Sequence, residues 1–160
     1  MAVSEIIGAA VGVLLLVIVA YVVVGSTLFA AETVTSAQKD LTLQQEARIR
    51  SSFSITNPVN SSTIIYANIT NTGTEIISDF KHMDVLVYDT ISGDYRICTF
   101  DATGGGTAGR WDIADRYSDF IHPYALDPGE KFQIRITTEG TSPKWFQITT
   151  ANGVSASAYV

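Results

Sequence analysis

The groups in this 160-residue chain best suited to catalysis or metal binding are two histidines, one cysteine and 16 carboxylates. Their spacing assembles no recognisable reaction centre. His82 falls in a stretch that reads as strand, His122 precedes Pro123, and no metal-ligand spacing links either to Cys98. Acid pairs occur, Asp84 with Asp89 and Asp112 with Asp115, but nothing in the pattern sets them across a cleft. Neither a nucleophile elbow nor a Ser-His-Asp order is visible. Gly104-Gly105-Gly106 and Gly109 suit a flexible loop. They lack the following helix and Lys-Ser/Thr pair of a phosphate cradle. Trp111 and the acids Asp112, Asp115 and Asp119 could cap a short helix, ligate a cation or stay solvated. Their spacing departs from an EF-hand loop, so solvation is the expectation. Cys98, flanked by Ile97 and Phe100, reads as a small core hydrophobe, and a single cysteine excludes an internal disulfide. No enzyme activity, cofactor or resident metal is therefore expected. The net charge of −6, with no basic patch to neutralise phosphates, excludes nucleic acid as an expected partner.

One carboxylate stands apart. Glu5 sits at the lip of a run without charge from Ile6 to Phe29; the next acid is Glu32, and no Lys or Arg precedes Lys39. At ~1.5 Å rise per residue the run crosses a ~30 Å hydrocarbon core as a helix. A signal peptide would need a basic leader region and a shorter apolar core. A simple anchor usually carries basic residues on its cytoplasmic flank. Val-rich sequence is β-prone in water, but in lipid or a dry protein core each backbone group needs an internal partner, which makes it helical. Gly8 and Gly12 form a small-xxx-small step that lets helices approach closely, or are ordinary membrane-helix glycines. Gly25-Ser26 is a plausible point of curvature.

The apolar N-terminal helix with a carboxylate at position 5 resembles a mature type IV pilin. "YVVVGSTLFA" (Tyr21 to Ala30) and the polar continuation "AETVTSAQKDLTLQQEARI" (Ala31 to Ile49) resemble archaellins, the pilin-like subunits of the archaeal swimming filament. The likeness covers about the first third of the chain. It implies a helix that lies first in the cytoplasmic membrane and is then moved by an assembly platform into the core of an extracellular homopolymer. It implies a leader peptidase cut just before Met1. It also implies that Glu5 pairs with the free N-terminal amine at Met1 of a neighbouring subunit, where a buried ion pair fixes register. Two acceptor patterns for N-linked glycan, Asn60-Ser61-Ser62 and Asn68-Ile69-Thr70, gain weight from the same likeness.

These features need two supporting parts: a helix over 1–52 for membrane and filament core, and an outer domain over 53–160. The second part reads as short alternating segments: Ser61 to Thr70, one or two strands within Glu75 to Asp89, Asp94 to Phe100, "EKFQIRITT", Lys144 to Thr150 and "GVSASAYV". In "EKFQIRITT", Phe132, Ile134 and Ile136 face inward and Lys131, Gln133 and Arg135 outward. About seven such strands predict an α+β chain, a long helix followed by an immunoglobulin-like antiparallel β-sandwich. Region Asp101 to Pro123 is the least regular.

The end of the chain, "ITTANGVSASAYV" (Ile148 to Val160), resembles stator proteins of the archaeal motor as much as archaellins. "YANITNTGTEII" resembles a strand-Asn-x-Gly-strand pattern of both families, one that also occurs in many unrelated extracellular sandwiches. Stators also combine one N-terminal helix with a β-sandwich, begin at their own Met, remain in the membrane and bind the surface layer. The sequence thus offers two functions, a filament subunit for swimming and a membrane-anchored accessory protein.

Overall fold

The computed structural model describes residues 2–117, 119, 121–140 and 142–160. A single helix, α1 (Ala2–Arg50), is followed by β1 (Phe53–Ser61), β2 (Ile64–Asn71), a 3-10 turn (Phe80–His82), β3 (Asp84–Asp89), β4 (Tyr95–Phe100), β5 (Arg110–Arg116), β6 (Lys131–Thr137), β7 (Pro143–Thr149) and β8 (Ser155–Tyr159). Packing divides the chain into residues 1–43 and 44–160. The boundary expected at 52/53 marks where helix gives way to strand, while the last turns of α1 pack as part of the sandwich unit.

The strands follow the order β1-β2-β6-β5-β4-β3-β7-β8. Strands β1, β2, β6 and β5 form one layer and β4, β3, β7 and β8 the other, the strand neighbours of the immunoglobulin-like fold. Antiparallel pairing holds throughout except between β4 and β5, which run parallel for Thr99 opposite Arg110 and Phe100 opposite Trp111. That short link joins the two layers into one nearly closed sheet.

Alternation builds the core. Phe132, Ile134 and Ile136 point inward from β6 and lie opposite Ile69, Ala67 and Ile65 of β2. Val85 and Val87 of β3, Phe146 and Ile148 of β7, and Cys98 of β4 face them from the other layer. Fully burying each large side chain contributes about 1.5–3 kcal/mol, so this interior sustains a domain by itself.

The structure departs from the sequence expectation in three places. Only Asp84–Asp89 of the Glu75 to Asp89 stretch is a strand. Before it, Ile77 makes a single bridge to Leu126 and His82 sits in the 3-10 turn, not in a strand. That turn drives Phe80 into the core, 6.1 Å from the Phe100 and Phe132 rings and 6.5 Å from Trp111. The irregular region contains β5, whose Trp111 is buried. Strand β1 was also hidden, because Asn57-Pro58 interrupts its alternation; the ladder shifts between Thr56 and Val59, and Asn57 has φ 50°.

Where the helix meets the sandwich, Asn71 organises the backbone. Its buried amide donates to the carbonyls of Glu75 (2.8 Å) and Leu126 (2.9 Å), and its Oδ1 accepts the Gly73 N–H at 3.0 Å. The reversed chain then satisfies the helix end. Thr74 N–H donates to the Arg50 carbonyl at 2.9 Å and Gly73 N–H to that of Ser52 at 2.8 Å. A Cβ on residue 73 would collide with the Arg50 carbonyl and lie 2.5 Å from the Ser52 nitrogen, so only glycine fits. We expect Asn71→Ala to take the Glu75 carbonyl's donor away, to remove one of two bonds from both the Leu126 carbonyl and the Gly73 N–H, and to destabilise the sandwich by about 2 kcal/mol, with Gly73→Ala similarly damaging. Urea unfolding followed by circular dichroism of the strand signal reads this out; a midpoint unchanged in both variants would refute the clasp.

Candidate functional site: an apolar helix and the outer faces of the sandwich

Helix α1 is long and apolar enough to cross a membrane. Its apolar side chains are exposed on all sides, including Ile6, Val13, Leu16, Val22 and Phe29. The few hydroxyls satisfy themselves: Ser26 donates to the Val23 carbonyl at 2.9 Å and Thr27 to that of Val24 at 2.9 Å. Hydrogen-bonded hydroxyls add little to the cost of an apolar environment. Glu5 lies exposed at the beginning of the run. Gly8, Gly12 and Gly25 have open space where a Cβ would stand, so no packing within this chain requires their smallness. Met1, the proposed donor of the amine, lies outside the described residues.

On the sandwich, the acids expected to be solvated are divided. Asp115 is exposed, but Asp112 is buried on the outer side of β5 and grips Arg135 of β6, whose Nε and terminal nitrogen lie 3.1 and 2.6 Å from its carboxylate oxygens. The reason is the glycine segment, which folds over the sheet. Gly106 N–H donates to Asp112 at 3.2 Å, and Arg135 donates to the Gly104 carbonyl at 2.6 Å. The bond to Asp112 pushes the Arg135 pKa above its ordinary value. Asp119 accepts the Tyr124 N–H at 2.9 Å. Among the described residues, no three His, Cys, Asp or Glu side chains converge as a metal site.

The two histidines are far apart in role. His82 contacts Asp79 at 2.8 Å on the surface, and His122 contacts the buried Asp127 at 2.8 Å. Cys98 is buried, and desolvation pushes its thiol up to about 11, which leaves it a poor nucleophile. It borders a cavity of about 340 Å³ beside β4 and the start of β5, with the ion-paired Arg96 and Glu139 in its lining. Of the two glycan acceptor patterns, Asn60 is exposed at the end of β1 and donates to the Pro143 carbonyl at 3.0 Å; Asn68 sits half-buried in mid-strand between β1 and β6.

The sequence did not disclose an aromatic row on the outer face of the second layer. Register places Tyr95, Tyr88, Trp145 and Tyr159 side by side across β4, β3, β7 and β8. Tyr88 and Tyr95 have ring centroids 4.8 Å apart, and Trp145 meets Tyr95 edge-on at 6.2 Å. The alternation of β3 was the available signal, since it sends Tyr88 opposite to Val87.

No protein-family model and no curated protein matches the chain. Among solved structures, it is similar to the archaellum periplasmic stator protein FlaG from Sulfolobus acidocaldarius. The identity is 20% with a TM-score of 0.52, over 69% of this chain and 99% of that one. It is also similar to the archaellum periplasmic stator protein complex of FlaF and FlaG from the same organism. There the identity is 22% with a TM-score of 0.49, over 68% of this chain and 87% of that one. The likeness to FlaG establishes a common fold.

Two buried, hydrogen-bonded carboxylates tie stability to pH. The Ile91 N–H at 2.8 Å holds the Asp89 pKa below its ordinary 3.8, and the Thr103 hydroxyl at 2.6 Å does the same for Asp101. Each bond therefore contributes fully above the unfolded-state pKa and is lost as pH falls through the lower folded value. Between about pH 5 and about pH 2 the urea midpoint should drop, and it should drop less in Asp89→Asn and Asp101→Asn. Equal drops in wild type and both variants would contradict the assignment.

Proposed function

We propose that this chain is a membrane-anchored, stator-type accessory protein of the archaeal motility machinery. Its single helix stays in the membrane and its sandwich binds the surface layer outside the cell. The carrying observation is the combination of a uniformly apolar helix with a sandwich that shares the fold of a periplasmic stator protein. FlaG, the solved structure that shares this fold, is described as a stator protein, which favours this reading over the archaellin resemblance of the first third of the chain. No catalysis enters: the helix holds position and the sandwich presents surfaces.

One observation keeps the filament subunit as a second reading. Glu5, Gly8 and Gly12 are spaced i, i+3 and i+7, which places a carboxylate and two small residues on one helix face. That face suits close approach of like helices and a register-fixing ion pair.

Shearing intact cells separates the two. For an anchored protein, the chain stays with the membrane fraction, is released only by detergent, and Gly25→Leu leaves its amount there unchanged. A chain that dominates the sheared filaments, and that disappears from them in Glu5→Ala and Gly25→Leu, would overturn the anchored reading and establish the polymer.

A further inference from the structure

We infer that α1 pairs with a second copy of itself, in parallel and in register, along a seam of Ala30, Val34, Ala37, Leu41 and Gln44. The pairing rests on the anchored reading for its parallel orientation, and it adds the partner of the helix. Residues 30–43 follow the apolar run and precede the sandwich unit. Here the helix turns polar, yet Val34 is 55% exposed and Leu41 58%. The segment is also a weak helix former. Thr33, Val34, Thr35 and Ser36 follow one another, and Thr33, Thr35 and Thr42 turn their hydroxyls back onto the carbonyls of Phe29, Ala31 and Gln38. A helix of ~14 such residues is marginal in water by itself. A packed neighbour supplies what the sequence lacks.

Spacing selects the face, and self-complementarity selects the occupant. The five seam residues recur at alternating steps of four and three, the a/d pattern of a coiled coil. The charges keep a phase of their own. Glu32, Lys39 and Glu46 recur every seven residues at the f position, farthest from the seam. Two identical helices therefore meet without setting like charges against each other. At the flanking e and g positions the one charge is Asp40, and in a parallel pair it faces the Gln45 amide of the other copy, which can donate to it. Gln44 closes the seam at a d position. An amide holds a donor and an acceptor in one group, so two copies of Gln44 satisfy each other, and only in register. Two heptads are short for a free coiled coil. The same phase, however, continues back through Thr27, Val23, Ala20 and Leu16 without a charge. The membrane also holds both copies at one depth and in one orientation, which lowers the cost of association.

The test places single cysteines along α1 of the full chain and oxidises membranes isolated from the source cells with copper phenanthroline. Cys98 is buried in the core, so the wild-type chain serves as the blank. Val34→Cys, Ala37→Cys and Leu41→Cys should give a disulfide-linked species of twice the chain mass, and Ser36→Cys and Lys39→Cys about tenfold less of it. Sedimentation of the wild-type chain in detergent should show a dimer that Leu41→Glu weakens about tenfold or more and that Lys39→Glu leaves unchanged. Both side chains are exposed, so these changes spare the core. Equal cross-linking at all five positions, or a monomer in sedimentation, overturns the proposal. So does a dimer that Leu41→Glu leaves intact, which would place the interface elsewhere. A cross-linked species of another mass would put a different protein on the seam and overturns it too. Seam cross-links recovered in sheared filaments would uphold the pairing and overturn the anchored reading. A chain held in the membrane without seam cross-links would do the reverse.

Discussion

An apolar helix that its own chain leaves exposed sets the terms for the rest of this protein. From Ile6 to Phe29 the side chains of α1 carry no charge and face outward all round. Covering each large one contributes about 1.5–3 kcal/mol, so the whole run represents tens of kcal/mol, more than the 5–15 kcal/mol that holds a typical domain folded. Water is therefore excluded as the resting environment of this segment. Lipid and a bundle of like helices both remain physically sufficient, because both accept a helix whose backbone and hydroxyl groups are internally bonded. The choice between them lies with groups that lipid does not need: the carboxylate of Glu5 and the open faces of Gly8 and Gly12.

The sandwich has the opposite character. Its interior is complete within residues 44–160, and its junction with the helix end is built from backbone bonds around Asn71 and Gly73. Polar groups at a helix C-terminus must find acceptors or donors somewhere. Here the returning turn supplies them, so the last helical turns and the first strand pair become one structural unit.

How far the sequence could disclose this depended on whether each element obeyed a single local rule. Strand β6 was legible because one face is entirely core, and its alternation survives intact from Lys131 to Ile136. Strand β5 was not, since Asp112 is buried on the outer side by the preceding glycine loop and by Arg135 of the sequence-distant β6, and local pattern counts such an acid as solvated. Asn57-Pro58 concealed β1 by breaking its period, and the turn at Phe80 substituted one buried ring for a strand. The helix and its glycines were plain from composition. The aromatic row was invisible, because residues 88, 95, 145 and 159 become neighbours only through register across three strand pairings.

The two outer faces of the sandwich differ in a way that gives the domain a direction. On the β1-β2-β6-β5 layer the outward row of Val59, Tyr66, Arg135 and Asp112 mixes apolar, aromatic and charged side chains, with Asn68, Thr70 and Gln133 beside it. That surface is further sealed by the 101–109 loop fastened through Asp112 and Arg135. The β4-β3-β7-β8 layer instead presents aromatic rings and aliphatic side chains, with no ion pair across them among the described residues. Aromatic surface left in water carries a free-energy cost that a soluble domain has no structural reason to bear, since polar residues at Tyr95 and Tyr159 would leave the core untouched. The two faces are therefore finished differently: on one, an ion pair is fastened under a glycine loop, and on the other, a row of aromatic rings lies across four strands.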